Sequence, residues 1–392
     1  MTLKSPVAIA KCASYSPAEL DAAISRVLEL IEIEESGDLA GKRVLLKINH
    51  LNGTAPEASA NTHIEFTRAV IRHLKSRGIA LFVSDSAGPL EDTLGCFKRS
   101  GYSQMCDEEG VELVPLSRDG YERIDLPDGR QIKSILVSRL LMEAELVISL
   151  PKIKTHVQTV FTGAVKNFFG AIPLAERRRL HRLNKYERFS ESIVDLYSLF
   201  SGGIAIMDGV VGMQGNGPSS GAPRKLGALI ASRNAANLDV VACSLIGLSS
   251  GRVHTVKDTI ARGMALPLDE IEVLGDPISE LRTPFDIPMR LLLRANPLIE
   301  RATDVILGVH SSALIVLKDR CTRCGHCQNI CPVGAITIDK CCRIDYSKCI
   351  KCYCCFEVCP YDAILRKQPF LGRIVSRLLG RNRRGQGQDE GT

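Results

Sequence analysis

The stretch CTRCGHCQNICP, residues 321–332, returns 28 residues later as CIKCYCCFEVCP, residues 349–360. Each copy has the spacing C-x2-C-x2-C-x3-C followed by proline, Pro332 and Pro360. Three thiolates within seven residues can only curl around one compact inorganic core, and the proline then turns the chain away from it. The spacing is that of paired [4Fe–4S] clusters, in which the fourth cysteine of each run ligates the other cluster. Cys321, Cys324, Cys327 and Cys359 are therefore expected on one cluster, and Cys349, Cys352, Cys355 and Cys331 on its partner. A zinc site would use separated pairs of ligands, and disulfide scaffolds belong to short secreted chains.

The same offset carries Ala335-Ile336 onto Ala363-Ile364, so the repeat is structural as well as chemical. It predicts a small α+β module of bacterial-ferredoxin type over 313–366. Cys12, Cys96, Cys106, Cys243, Cys341, Cys342 and Cys354 are expected to be free thiols. Cys354 lies inside the second run, where packing or tuning of the cluster suits it better than ligation.

The composition, 45% hydrophobic and 24% charged over 392 residues, is that of an ordinary globular chain with room for two or three domains. The first twenty residues show no signal-peptide pattern, and no apolar run approaches the ~20 residues of a spanning helix. A cytoplasmic protein is expected. Residues 366–392 hold seven bases and two acids, leaving 43 bases against 42 acids elsewhere. In the tail, 367–392, Phe370, Ile374 and Leu378 recur opposite Arg373, Arg377 and Arg381 at helical spacing. The plain reading is an apolar stripe packed back on the protein. The sharper one is peripheral contact with anionic lipid or an acidic partner. No nucleic-acid motif accompanies it.

Upstream, short apolar runs alternate with helical patterns. Strands are expected at 6–11, 43–48, 79–84, 111–115, 132–137, 145–150, 203–207 and 227–231, and helices at 17–33, 62–77, 91–108, 157–169, 190–200 and 235–248. The pattern predicts an α/β domain over 1–250, a mostly parallel sheet with helices on both faces. A helical connecting region is expected over 251–312.

Open α/β sheets bind ligands beyond the carboxyl ends of their strands. Those ends carry Lys47-Ile48-Asn49-His50, Asp85-Ser86-Ala87-Gly88-Pro89, Lys152 through His156, and Asp208-Gly209. In an extended segment Lys152, Lys154 and His156 share a face, and Thr155, Thr159, Thr162 and Lys166 follow at helical spacing. Cations and hydroxyls so placed form a site for a carboxylate or phosphate. Lys152, Lys154 and His156 are the expected proton donors. Lys47, Asn49, Asp85, Lys166, Asn167, Asp208 and Asn216 are the expected substrate contacts. The glycine loop 212–221 lacks both the dinucleotide fingerprint and the Walker ending; its glycines suit close approach to a ligand or another segment. Between Pro173 and Phe189 lie five arginines, Lys185 and His181. They read as a solvated helix face, or as a flap closing on an anion.

The strings VLLKIN (44–49), PKIKTH (151–156), TGAVKNFFG (162–170), DGVVGMQGNGP (208–218) and CIKCYCCFEVCP (349–360) carry a resemblance. Over essentially its whole length the chain resembles the DUF362 group of iron–sulfur proteins. Ile48 stands where that group usually has proline, and Gln214 where it has glutamate, so the loop lacks that carboxylate. At fold level the N-terminal domain is also similar to lactate-racemase-like proteins, an analogy that does not assign chemistry.

Three functions are open. The first is a reductase passing electrons from two [4Fe–4S] clusters to a small anionic substrate on the α/β domain. Because clusters deliver single electrons, it implies a further unidentified cofactor or a radical step. The second is a non-catalytic carrier for a separate enzyme, and the third a non-redox enzyme whose clusters sense redox state. The expected partner is an electron donor: a ferredoxin, flavodoxin or reductase.

Overall fold

The computed structural model describes residues 3–33, 39, 41–87, 92–183, 185–201, 203–287, 314–359, 361 and 363–366. The tail with its amphipathic pattern, Gly88, Pro89, Pro360 and residues 288–313 of the expected connecting region lie outside these.

The strands of the N-terminal domain are β1 (Val7–Lys11), β2 (Val44–Ile48), β3 (Leu81–Asp85), β4 (Glu112–Pro115), β5 (Tyr121–Asp125), β6 (Ser134–Ser138), β7 (Leu146–Leu150), β8 (Lys152–His156), β9 (Val160–Thr162), β10 (Ile204–Gln214), β11 (Ala222–Ser232) and β12 (Val273–Gly275). The main sheet runs β12-β1-β11-β10-β7-β2-β3-β4, with β8 and β9 branching from β10. Along that path β11 alone runs antiparallel to its neighbours. The sheet is mostly parallel, and β5–β6 form a separate hairpin.

Helices cover both faces. On one lie α1 (Pro17–Leu30), α2 (Ile64–Ser76), α3 (Thr93–Arg99) and α4 (Tyr102–Glu109). On the other lie α5 (Arg139–Met142), α6 (Ala164–Asn167), α7 (Leu174–His181), α8 (Tyr186–Tyr197), α9 (Ala235–Leu245), α10 (His254–Ala261) and α11 (Ile278–Leu281). The strands show why two layers are needed. Val44, Leu46 and Ile48 of β2 join the first core while Leu45 joins the second; Ile204 and Ile206 part in the same way from Ala205 and Met207. A strand apolar on both sides must be covered twice. α1 supplies one cover through Leu20, Ala23, Ile24, Val27 and Leu28, the i, i+3, i+4 stripe of an amphipathic helix.

Four expectations change. The helix expected over 91–108 is interrupted at Ser100-Gly101, because Gly101 takes φ +85° and opens a second helix. The stretch expected as a helix over 157–169 is the β8–β9 hairpin followed by one turn of helix. β10 and β11 are eleven residues each, so the glycine loop tips a long hairpin. Residues 273–275, expected in a connecting region, add a parallel strand beside β1.

The C-terminal module is built from two small antiparallel pairs, β13 (Leu314–Val316) with β16 (Ile364–Arg366) and β14 (Ile336–Ile338) with β15 (Cys342–Ile344). Short helices at His326–Ile330 and Cys354–Glu357 lie between them. Val157 and Leu174 of the α/β domain pack into its core, and Arg182 Nε donates to Pro332 O at 2.8 Å. Among the described residues no helix is long and apolar enough to cross a membrane.

Candidate functional site

The cysteine module and the strand ends meet. Two small cavities lie inside the module. Cys321, Cys324, Cys327 and Cys359 line the first; Cys331, Cys349, Cys352 and Cys355 line the second. Each brings the first three expected ligands of one run together with the last cysteine of the other, and Cys342 also lines the first cavity and Cys354 the second.

The backbone repeats with the cysteines. Arg323 and Gly325 have φ of +60° and +81°, and their counterparts 28 residues on, Lys351 and Tyr353, have +55° and +62°. Positive φ at matched positions marks the same local turn in the two cysteine loops. Ala335 N donates to Cys331 Sγ and Ala363 N to Cys359 Sγ, both at 3.2 Å, and Cys342 N donates to Cys321 Sγ at 3.3 Å. Such bonds stabilise thiolates. Among the described residues no three His, Cys, Asp or Glu side chains converge closely enough for a single metal ion. That accords with the other observations, because thiolates around a four-iron cube stand farther apart than the ligands of one ion. The residues fit two [4Fe–4S] clusters.

A larger cleft of about 750 Å³ lies between the module and the α/β domain. The α/β side contributes Asn49, His50, Leu51, Asp85, Ser86, Lys154, Thr162, Lys166, Asn167, Phe169, Gly170, Arg177, His181 and Pro218; the module contributes Ile330, Cys354 and Val358. Cys354 lines both this cleft and the second thiol cavity, so one residue separates them.

The ends of β2 and β3 form the floor. Lys47 Nζ meets Asp85 Oδ1 at 2.7 Å with both side chains buried. Asp85 also accepts from the backbone N–H groups of His50 (2.6 Å) and Ser86 (2.7 Å). Gly170 passes so close that an added Cβ would lie 2.7 Å from Asp85 Oδ1 and 3.0 Å from Lys47 Nζ. Arg177 of α7 turns inward and donates to the carbonyls of Ile172, Gly170 and Ala87 at 2.9–3.0 Å. Lys166 Nζ sits over the Phe169 ring, 5.5 Å from its centroid. Lys154 Nζ donates to Ala60 O at 2.7 Å. The described lining carries the cations Lys154, Lys166 and Arg177, and its one carboxylate, Asp85, is paired with Lys47.

Burial, reinforced by neighbouring cations, pushes His50 and His181 down to about 3. Both rings are neutral near pH 7. In the unfolded chain an imidazole takes its proton near 6.5. Between about 3 and 6.5 the unfolded state therefore binds more protons, and stability falls as pH drops through that window. The slope is up to about 1.4 kcal/mol per pH unit for each ring. Denaturant midpoints measured from pH 7 to 4 are expected to show this fall, and His50→Gln or His181→Phe to flatten it. A profile that neither substitution alters would show that the rings are not buried neutral.

The expected grouping of Lys152, Lys154 and His156 in one site is not what β8 provides. Five extended residues span about 13 Å, and each of these side chains ends in different surroundings. Lys152 Nζ is bound to Asp208 Oδ2 and the Tyr15 hydroxyl, both at 2.8 Å, in a buried cluster outside the cleft. His156 does not line the cleft: its Nδ1 accepts from Gln158 N and Thr159 N, closing the β8–β9 turn. Asp208 and Asn216 also lie outside the lining. Thr155 and Thr159 donate to the Gly215 and Phe161 carbonyls, leaving Thr162 in the cleft. The glycine tip serves close approach to another segment, since a Cβ on Gly217 would lie 2.0 Å from Thr155 O. His50, Arg177 and His181 are the additions. His50 follows the quoted strand-end lysine and asparagine, whereas nothing in the arginine-rich stretch marks which side of α7 is buried.

The description "Domain of unknown function (DUF362)" belongs to a family model that matches residues 44–244, half of the chain. The chain belongs to the DUF362 family. A second model, "4Fe-4S binding domain", matches residues 314–337 and 343–365, giving this DUF362 protein two cluster motifs and an iron–sulfur electron-transfer role. It is 28% identical over 302 residues to "Thylakoid-associated protein sll1697" of Synechocystis sp., covering 74% of this chain and 92% of that protein. Among solved structures it is similar to the lactate racemase apoprotein from Thermoanaerobacterium thermosaccharolyticum, with a TM-score of 0.40, 15% identity, and coverage of 62% and 57% of the two chains. A Thermotoga maritima protein gives 0.32, 14%, and 52% of each chain. This DUF362 chain thus spans a little over half the length of both solved structures.

Proposed function

We propose that this protein is an iron–sulfur reductase acting on a small anionic substrate, a carboxylate or phosphate, held in the cleft. The observation that carries the reading is Cys354, which lines both the cation-rich cleft and the second cysteine cavity. When bound, the clusters supply electrons one at a time, so a two-electron reduction takes two deliveries and two protons. Lys154, Lys166 and Arg177 hold the anion through charge-assisted hydrogen bonds. Phe169, Pro218, Ile330 and Val358 exclude water, which strengthens those interactions. Lys166 is half-buried, and its Nζ can hand a proton to the substrate and recover it from solvent. His50 and His181, held neutral, orient rather than protonate. The donor is a ferredoxin, flavodoxin or reductase.

Anaerobic holoprotein reduced with dithionite is expected to reoxidise on adding one of a panel of small carboxylates and phosphate esters. Lys166→Ala is expected to lower kcat/KM roughly ten- to hundredfold with the cluster spectrum unchanged. Full turnover in that variant, or electron delivery to a protein acceptor with no small-molecule turnover, overturns the proposal.

A further inference from the structure

Two residues that line the cleft, Asn49 and His50, carry buried acceptor atoms whose orientation the surrounding hydrogen bonds determine. The Lys47 carbonyl can only accept, so Asn167 must turn its Nδ2 toward it (3.3 Å) and toward Ser149 Oγ (2.9 Å). Asn167 then offers Oδ1 to its other neighbour, and Asn49 meets it with Nδ2 at 3.2 Å. That leaves Asn49 Oδ1 on the far side. It is a buried oxygen with no hydrogen-bond partner among the described residues.

His50 resolves in the same manner. Ser100 Oγ donates to Phe97 O at 3.2 Å, so toward His50 Nε2, 2.8 Å away, it accepts. The assignment that satisfies both contacts of Ser100 puts the ring proton on Nε2 and the lone pair on Nδ1. That nitrogen is also buried and unpartnered among the described residues, on a side chain only 2% exposed.

A carboxylate or a fully ionised phosphate ester has only acceptors to offer these atoms. Bound alone, it would leave both unsatisfied in a desolvated site. The occupant needs hydrogen-bond donors beside its anionic group. An ammonium group is a poor donor here, because Lys47, Lys154 and Arg99 already press positive charge on His50. A hydroxyl donates without added charge. We infer that the substrate is a hydroxylated anion whose hydroxyl groups donate to Asn49 Oδ1 and His50 Nδ1 while Lys154, Lys166 and Arg177 hold its charge.

This rests on the cleft being the substrate site proposed above. The anion can be a hydroxycarboxylate or a phosphorylated polyol, and matched pairs separate the two. Binding of malate and succinate, and of glycerol 3-phosphate and propyl phosphate, is measured by calorimetry on anaerobic holoprotein. In at least one pair the hydroxylated member is expected to bind roughly tenfold or more tightly, and that pair names the anionic group. Asn49→Ala and His50→Phe are each expected to shrink the preference toward unity. Equal affinity within both pairs overturns the inference, as does the absence of binding by all four anions. Selective binding without reduction would retain it and sink the reductase reading. Dithionite-dependent turnover of an anion whose hydroxylated and deoxy forms bind equally would do the reverse.

Discussion

Alanine at Lys152 is expected to destabilise the α/β domain by about 3–5 kcal/mol, the usual cost of removing one partner from a buried ion pair. Both Lys152 and Asp208 have fully buried side chains, 2.8 Å apart. Burial lowers the proton affinity of the ammonium and Asp208 opposes that, so each charge is tolerated through the other. Asp208 also accepts from the Tyr15 hydroxyl and from His63 N, both at 2.9 Å. His63 caps α2 and stacks on Tyr15 with ring centroids 3.6 Å apart. The pair thus ties β8 and β10 to the starts of α1 and α2. Lys152→Ala leaves a carboxylate with no counter-charge among these groups. The double variant Lys152→Met/Asp208→Asn is expected to recover part of the loss, since a neutral amide still accepts from Tyr15 and His63. Denaturant titration of anaerobic holoprotein decides it. A loss under about 1 kcal/mol together with abolished turnover would falsify the structural assignment and return Lys152 to the catalytic role suggested by its position at a strand end.

The cysteine substitutions carry the other large effect. Cys331 lies in the first run but lines a cavity with Cys349, Cys352 and Cys355; Cys359 lies in the second run but lines one with Cys321, Cys324 and Cys327. Each single alanine variant is expected to take iron content from about eight per chain to about four. Which cluster goes is the sharper test. Cys331→Ala and Cys349→Ala should leave the same surviving electron paramagnetic resonance signal. Cys359→Ala and Cys324→Ala should share the other one. If Cys331→Ala instead matches Cys324→Ala, ligation stays within each run and the crossed arrangement fails. Because Cys354 lies between the second cavity and the cleft, loss of that cluster is also the loss expected to stop substrate reduction.

The hairpin of β8 and β9 shows where sequence pattern misleads. Thr155, Thr159, Thr162 and Lys166 recur at helical intervals, yet Val160 takes φ +67° and His156 Nδ1 accepts the Gln158 and Thr159 N–H groups. A side chain that binds its own neighbours' backbone competes with the helix for those donors. The spacing was coincidental, and the histidine that looked like an acid is a turn-former. α7 misleads differently. Its run of arginines resembles a wet surface, but the nearby carbonyls of Ile172 and Gly170 and the carbonyl of Ala87, 90 residues away, gather Arg177 inward.

Two levels of determination separate along physical lines. The cluster module was legible because its chemistry is local: thiol spacing within a dozen residues, repeated once, leaves little choice of what is bound. The two-faced sheet was legible because strands apolar on both sides demand covers on both sides. Tertiary structure alone decided which strand-end cations reach the cleft. Asp208, 56 residues away in the chain, claims Lys152 in a cluster outside the cleft, whereas Lys154 lines the cleft and donates to Ala60 O. Spacing along a chain reports direction and reach; only the assembled neighbours determine which charge is already matched and which acceptor is left open to a ligand.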